Sequence, residues 1–221
     1  MIVCIAAAVS ACCRVSPLSL SPLPSRIERI EGHASLTISG EQGTVKSKFS
    51  FLFHLPSRAR IDVTGALGSV LYRILIHDGG SFFIVPSKKV YWQGQEEEII
   101  DKFLGFRLSL HEMVNLLSGD WNQEEPLRNE NLSSWSFVTD RKGRIISGQR
   151  EDLRFAIKEF IGDTPFASRL EFEHPLSSGL VRVLGINLNR PIRENVFSKA
   201  FVAKYQSKTW AEIQELLDHA R

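Results

Sequence analysis

Two consecutive stretches near the start of the chain alternate between apolar and polar side chains. In HASLTIS, Ala34, Leu36 and Ile38 share a face, with polar residues between them. In TVKSKFSFLFH, Val45, Ser47, Phe49, Phe51 and Phe53 oppose Thr44, Lys46, Lys48 and Ser50. A period of two with one apolar and one wet face predicts half-buried β-strands. The glycines on either side of Glu41 and Gln42 predict a hairpin between them. The pattern continues through ARIDV, LYRILIH, SFFIV and KKVYW, punctuated by Asp78-Gly79-Gly80 and Pro86-Ser87-Lys88. It resumes in SWSFVT, RIISGQ, DLRFAIKEF, PFASRLEFEH and GLVRVLGINLN. In PFASRLEFEH, alternation sets Phe166, Ser168, Leu170 and Phe172 against Ala167, Arg169, Glu171 and Glu173. About ten short strands with hairpin-length links predict one antiparallel sheet, which must curl or close to hide its apolar face.

Between the two strand groups the period changes. Residues 95–118 form a helical insert, beginning QEEEIIDKFLG with Glu96, Glu97 and Glu98 in the first turn, where a helix dipole favours them. Ile99, Ile100, Phe103 and Leu104 supply its apolar side, and Gly105 is the expected stop. SLHEMVNLLSG follows, with Ser109 and Glu112 spaced as a capping box. Leu110, Met113, Val114 and Leu117 make its apolar stripe, and Gly119 ends it. A last helix spans 209–219, with Thr209 and Glu212 as a second box and Trp210, Ile213 and Leu217 on one face. The predicted class is mainly β: a curled antiparallel sheet, an incomplete β-barrel, whose open apolar side the insert can cover as a lid.

The N-terminus changes the setting. An apolar run from Ile2 to Val9 leads into Ser10, Ala11 and Cys12, the pattern of a secretory signal too short to be a permanent membrane helix. Val9-Ser10-Ala11-Cys12 looks like a bacterial lipobox, although no Lys or Arg precedes the run. That gives residues 1–11 as signal, Cys12 as the lipidated first residue, and the Ser/Pro-rich stretch to residue 25 as a tether. Residues 26–221 are then a single domain. The three cysteines, Cys4, Cys12 and Cys13, all belong to the N-terminal stretch, so a disulfide framework or cysteine metal site in the body is excluded.

Composition narrows the function further. The chain is 43% hydrophobic and 24% charged with a net charge of +2, too even a balance to argue for nucleic acid. His33, His54, His77, His111, His174 and His219 lack metal-ligand spacing, and neither a G-x-S-x-G elbow nor a phosphate-binding loop is present. Nothing pairs a nucleophile with a base. A non-catalytic protein without metal or cofactor is expected.

One loop resists this account. Gly65-Ala66-Leu67-Gly68 joins two strands, and a leucine sits at its tip. The glycines suit a turn; the leucine does not. The order of strand hairpin, this Leu-Gly-Ser loop, further strands, then EEEIIDKFLGFRLSLHEMVNLLSG resembles LolB, the outer-membrane receptor of bacterial lipoprotein localisation, and the wider LolA/LolB fold. The resemblance covers residues 30–121; beyond that only strand pattern continues, and segment 190–221 departs from the family.

The resemblance implies an apolar cavity between sheet and lid that holds the acyl chains of a lipoprotein in transit. Alternation then nominates its lining: Leu36, Ile38, Val45, Phe49, Phe51, Phe53 and Ile61 from strands, and Ile100, Phe103, Met113 and Leu117 from helices. It also implies that Leu67 engages the membrane, with Arg58, Arg60 and Arg73 on the flanking strands available for lipid phosphates. Further implications are acyl chains on Cys12, a LolA-like periplasmic carrier and acylated lipoprotein cargo as partners, and a monomer on the periplasmic side of the outer membrane. Two other readings stay open: a general envelope lipid or glycolipid carrier, and an assembly scaffold whose sheet is filled solid.

Overall fold

The computed structural model describes residues 18–20, 22–41, 43–65, 67–77, 80–121 and 135–218. The signal, Cys12 and His219 lie outside the described residues. Among the described residues, twelve strands form one sheet. The first hairpin is β1 (Arg29–Gly40) with β2 (Gly43–His54), in register from Arg29 opposite His54 to Gly40 opposite Gly43. Then come β3 (Arg58–Thr64), β4 (Val70–His77), β5 (Gly80–Val85) and β6 (Val90–Gly94). The second group is β7 (Ser136–Thr139), β8 (Ile145–Arg150), β9 (Leu153–Phe160), β10 (Ala167–His174) and β11 (Ser177–Leu188), and β12 (Gln206–Ser207) adds a short parallel edge. Their spatial order is β12-β6-β5-β4-β3-β2-β1-β11-β10-β9-β8-β7, so the long-range pairing of β1 with β11 welds the two groups together. The sheet curls without closing, and its ends are β12 and β7.

The insert folds as α1 (Glu96–Leu104) and α2 (Leu110–Ser118). Ser109 and Glu112 make both reciprocal bonds of the capping box. Gly105 and Gly119 end the helices in left-handed conformations, at φ of 86° and 72°. α3 (Trp210–Asp218) begins at the predicted Thr209–Glu212 box: the Thr209 amide donates to Glu212 at 2.8 Å. Its Ile213 is fully buried, and Trp210 meets Phe83 edge-on.

Segment 190–221 helps to build a second core. Leu75, Phe82, Ile84, Tyr91 and Phe197 are buried together, with Ile192, Val196, Phe201 and Tyr205 packed against them. The C-terminal segment thus covers the outer face of β4–β6. This explains SFFIV in β5, where every residue is buried: a strand covered on both sides reads as a continuous apolar run. Two expectations need correction here. Ala167 does not turn away from the interior, because register shifts between Ala167, Arg169 and Leu170 let it share the inner side with Leu170. Arg60 and Arg73 are not free for phosphates: both clasp the buried Asp62 carboxylate, at 2.6 and 2.5 Å, and Arg60 also donates to the Val196 carbonyl at 3.3 Å. Arg58 opens β3 at the end opposite the Leu67 loop.

Candidate functional site

Between the inner face of the sheet and the two insert helices lies an apolar cavity of about 110 Å³. β2 contributes Phe49, Phe51 and Phe53, and β3 contributes Ile61. Phe51 and Phe53 stack at 5.3 Å, while Phe49 meets Phe103 of α1 edge-on at 6.1 Å and so carries the aromatic row from sheet to lid. Met113 and Leu117 line the cavity from α2. Seven of the eleven nominated side chains therefore converge here.

Four do not. Leu36 and Ile100 are packed core, at 2% and 0% exposure. Ile38 is half-buried beside that core, outside the cavity. Val45, on the same face of β2 as the phenylalanines, is 56% exposed. It pairs with Ile38 near the hairpin tip, past Lys48 and Thr64 where β3 stops flanking β2. Alternation gives the face of a strand but not how far along it the cover extends.

The other half of the lining comes from the second strand group: Leu153 and Phe155 of β9, Ala167, Ser168, Leu170 and Phe172 of β10, Val181 and Val183 of β11, and Trp135. Three of the rings involved in the inner face lie over glycines on neighbouring strands. A Cβ on Gly32 would stand 2.6 Å from Phe51, on Gly148 2.6 Å from Phe155, and on Gly179 2.2 Å from Phe172. Glycine at these positions lets a ring lie flat across the adjacent strand. The Phe172–Gly179 and Phe51–Gly32 pairs face each other in the ladder. This was the missed sequence signal.

Polar groups fasten the lid. Glu112 of α2, only 5% exposed, accepts from the Trp135 indole at 2.7 Å and from Arg150 of β8. Arg150 also donates to the Arg107 carbonyl at 2.6 Å, and its guanidinium sits 5.0 Å from the Trp135 ring centre. Glu96, expected simply to suit its own helix dipole, accepts from the Leu110 amide and ties α1 to the start of α2. A second hollow of about 390 Å³ lies over β7–β10, lined by Phe137, Arg154, Lys158, Glu171 and Glu173 among others. Lys158 and Glu171 pair across it at 3.2 Å. Its lining mixes charged and apolar side chains, whereas that of the smaller cavity is almost wholly apolar; the latter is the stronger candidate.

Leu67 is 98% exposed. Its loop is closed by hydrogen bonds from the Gly65 amide to the Ser69 carbonyl at 2.9 Å and from the Gly68 amide to the Gly65 carbonyl at 3.0 Å. Gly68 adopts φ of 77°, which glycine takes without strain. The turn presents the leucine outward; Ala66 lies outside the described residues.

No protein-family model and no curated protein matches the sequence. Solved structures do match the fold. A DUF1329 family protein from Desulfovibrio piger superposes with a TM-score of 0.54 at 9% identity, covering 80% of this chain and 92% of its own. A LolA superfamily protein from Nitrosomonas europaea gives 0.51 at 10% identity with the same coverage. At such identities the likeness is one of fold, and the fold is LolA-like: a curled, unclosed antiparallel sheet with helices over its inner face.

Proposed function

We propose that this protein binds acyl chains between sheet and lid, and that it acts as a LolB-like receptor, accepting the acyl chains of a lipoprotein from a periplasmic carrier and delivering them to the outer membrane. The cavity carries this reading. A packed interior leaves few voids larger than a water molecule. An apolar hollow of about 110 Å³ leaves packing contacts unmade, which counts against the folded state. A scaffold with a solid core has no reason to bear that cost, and an acyl-binding protein does. The lining side chains are aliphatic or aromatic apart from Ser168 and carry no titratable group, which suits hydrocarbon and supports binding rather than catalysis.

Typical ligand sites reach about 300 Å³ or more. Admitting a chain therefore requires the lid to lift, and the Glu112–Arg150 contact is where it is fastened. The lining holds no charged headgroup determinant, which also favours a second reading: a carrier of free envelope lipid. Both predict saturable binding of a fluorescent long-chain acyl probe. Displacement of the probe by a triacylated peptide but not by phospholipid supports the receptor; displacement by both supports the lipid carrier. An absence of binding removes both. Cys12, through its own acyl chains, would hold the protein on the membrane, since two chains suffice for stable anchoring.

A further inference from the structure

Strand directions place three hairpin ends side by side at one end of the sheet. In the spatial order β4-β3-β2-β1-β11-β10, the β3–β4 loop, the β1–β2 turn and the β10–β11 turn all emerge from the same rim. Two of them carry a leucine into solvent, Leu67 at 98% and Leu176 at 68% exposure, and Val45, near the start of β2 between them, is 56% exposed. Leu71, beside the first of these, is 46% exposed. Four strand spacings, about 19 Å along the sheet, separate the Leu67 loop from the Leu176 turn. Scattered single apolar residues are ordinary on a surface. Leucine tips on two hairpins of one rim, with an exposed valine on the strand between them, are not scattered.

Charge on this rim is sorted. Lys46 and Lys48 on β2, and Lys88 and Lys89 at the β5–β6 turn, are exposed on the Leu67 side, with Glu41 at the central tip. On the β8–β10 side the acidic Glu151, Asp152 and Glu173 outnumber the exposed Arg154, which lies opposite Glu173. Apolar tips flanked by lysines match a bilayer with anionic headgroups: the tips enter the acyl boundary and the ammonium groups meet phosphates.

We propose that this rim is a two-point docking edge for an anionic lipid bilayer, in which Leu176 enters the membrane together with Leu67 while Lys46, Lys48, Lys88 and Lys89 hold the phosphates beside them. The proposal rests on the reading that Leu67 meets a membrane and adds the second apolar point and the charge requirement. Two points of contact, unlike one, fix the tilt of the sheet on the membrane.

The test uses the full chain with Cys4, Cys12 and Cys13 each changed to serine, and one new cysteine carrying an environment-sensitive fluorophore. Leu67→Cys and Leu176→Cys report the two points, and Leu184→Cys, exposed on β11 away from the rim, is the control. Vesicles contain phosphatidylcholine with phosphatidylglycerol and acyl-brominated lipid as quencher. Expected are vesicle-dependent emission and quenching at 67 and 176 and neither at 184. Quenching at 67 alone overturns the two-point edge and leaves the Leu67 reading standing; quenching at neither position overturns both. Changing Lys46→Gln and Lys48→Gln together is expected to weaken vesicle binding roughly 25-fold, about five-fold for each charge. Equal binding to vesicles of phosphatidylcholine alone overturns the headgroup role.

Discussion

Glu112 and Arg150 form an ion pair between lid and sheet with almost no access to water, their side chains 7% and 11% exposed. One oxygen of Glu112 takes Arg150 and the Trp135 indole; the other accepts from the Ser109 amide at 2.9 Å. A single carboxylate thus caps α2 and fastens it to β8. Arg150→Ala strands that carboxylate and is expected to lower stability by about 3–5 kcal/mol, read from a denaturant midpoint. The paired change Glu112→Gln with Arg150→Met removes both charges and is expected to be far milder. It should also speed uptake of an acyl probe, because the lid then has less to release; unchanged uptake would separate this contact from gating.

Phe172 and Gly179 give a second test. Gly179→Ala puts a methyl group against the ring, and the Thr37 carbonyl at 2.8 Å blocks escape on the other side. The expected loss is about 1–3 kcal/mol, as for an overpacked core. Because the displaced ring lines the cavity, acyl-probe affinity should fall more than in a surface variant of equal stability, such as a change at exposed Glu173.

Period-two alternation made the first hairpin and the phenylalanine row on β2 legible, and the helix stops at Gly105 and Gly119 were visible as residue types. What stayed hidden was nonlocal. No local pattern states that β11 returns to pair with β1, so the β9–β11 half of the lining went unnominated although Phe172 and Leu170 alternate plainly. Glu112 was readable as a cap; its bond to Arg150, 38 residues away, was not. The unbroken SFFIV run reads locally as just another short strand; that it is covered on both faces, and by the C-terminal segment, follows only from the packing.

That cover should be sensitive to acid. Burial pushes the Asp62 carboxyl up, but hydrogen bonds from Arg73 and Arg60 outweigh it and hold it below its ordinary value of 3.8. A depressed carboxylate contributes stability above its unfolded pKa and loses it as pH falls through the folded one. Glu212, drawn from 4.5 to about 2 chiefly by the hydrogen bond from Lys208, follows the same sign at the start of α3. Since Arg60 also holds the Val196 carbonyl, protection from hydrogen exchange over residues 192–205, taken relative to the unstructured-chain rate at each pH, is expected to fall as pH drops below about 3.8. In Asp62→Asn, protection there should already be low at neutral pH and respond less to acid.

Leu67→Glu should leave the fold intact, because the side chain is almost wholly exposed. Burying a leucine in hydrocarbon is worth about 1.5–3 kcal/mol, so losing that contact corresponds to roughly a 10- to 100-fold drop in membrane engagement. The expected phenotype is a protein that still binds acyl chains but delivers them poorly. A variant that inserts cargo as well as the parent would remove the loop from the delivery step.

Acyl transfer is the decisive measurement. A triacylated lipoprotein, bound to its periplasmic carrier and free of detergent, is mixed with this protein, and movement of the cargo is followed by co-purification. Transfer is expected, and it should disappear in a folded Leu117→Trp variant, where the lid side of the cavity is filled. Cargo that stays on the carrier, or that moves equally well to the filled variant, would contradict an acyl chain seated between sheet and lid.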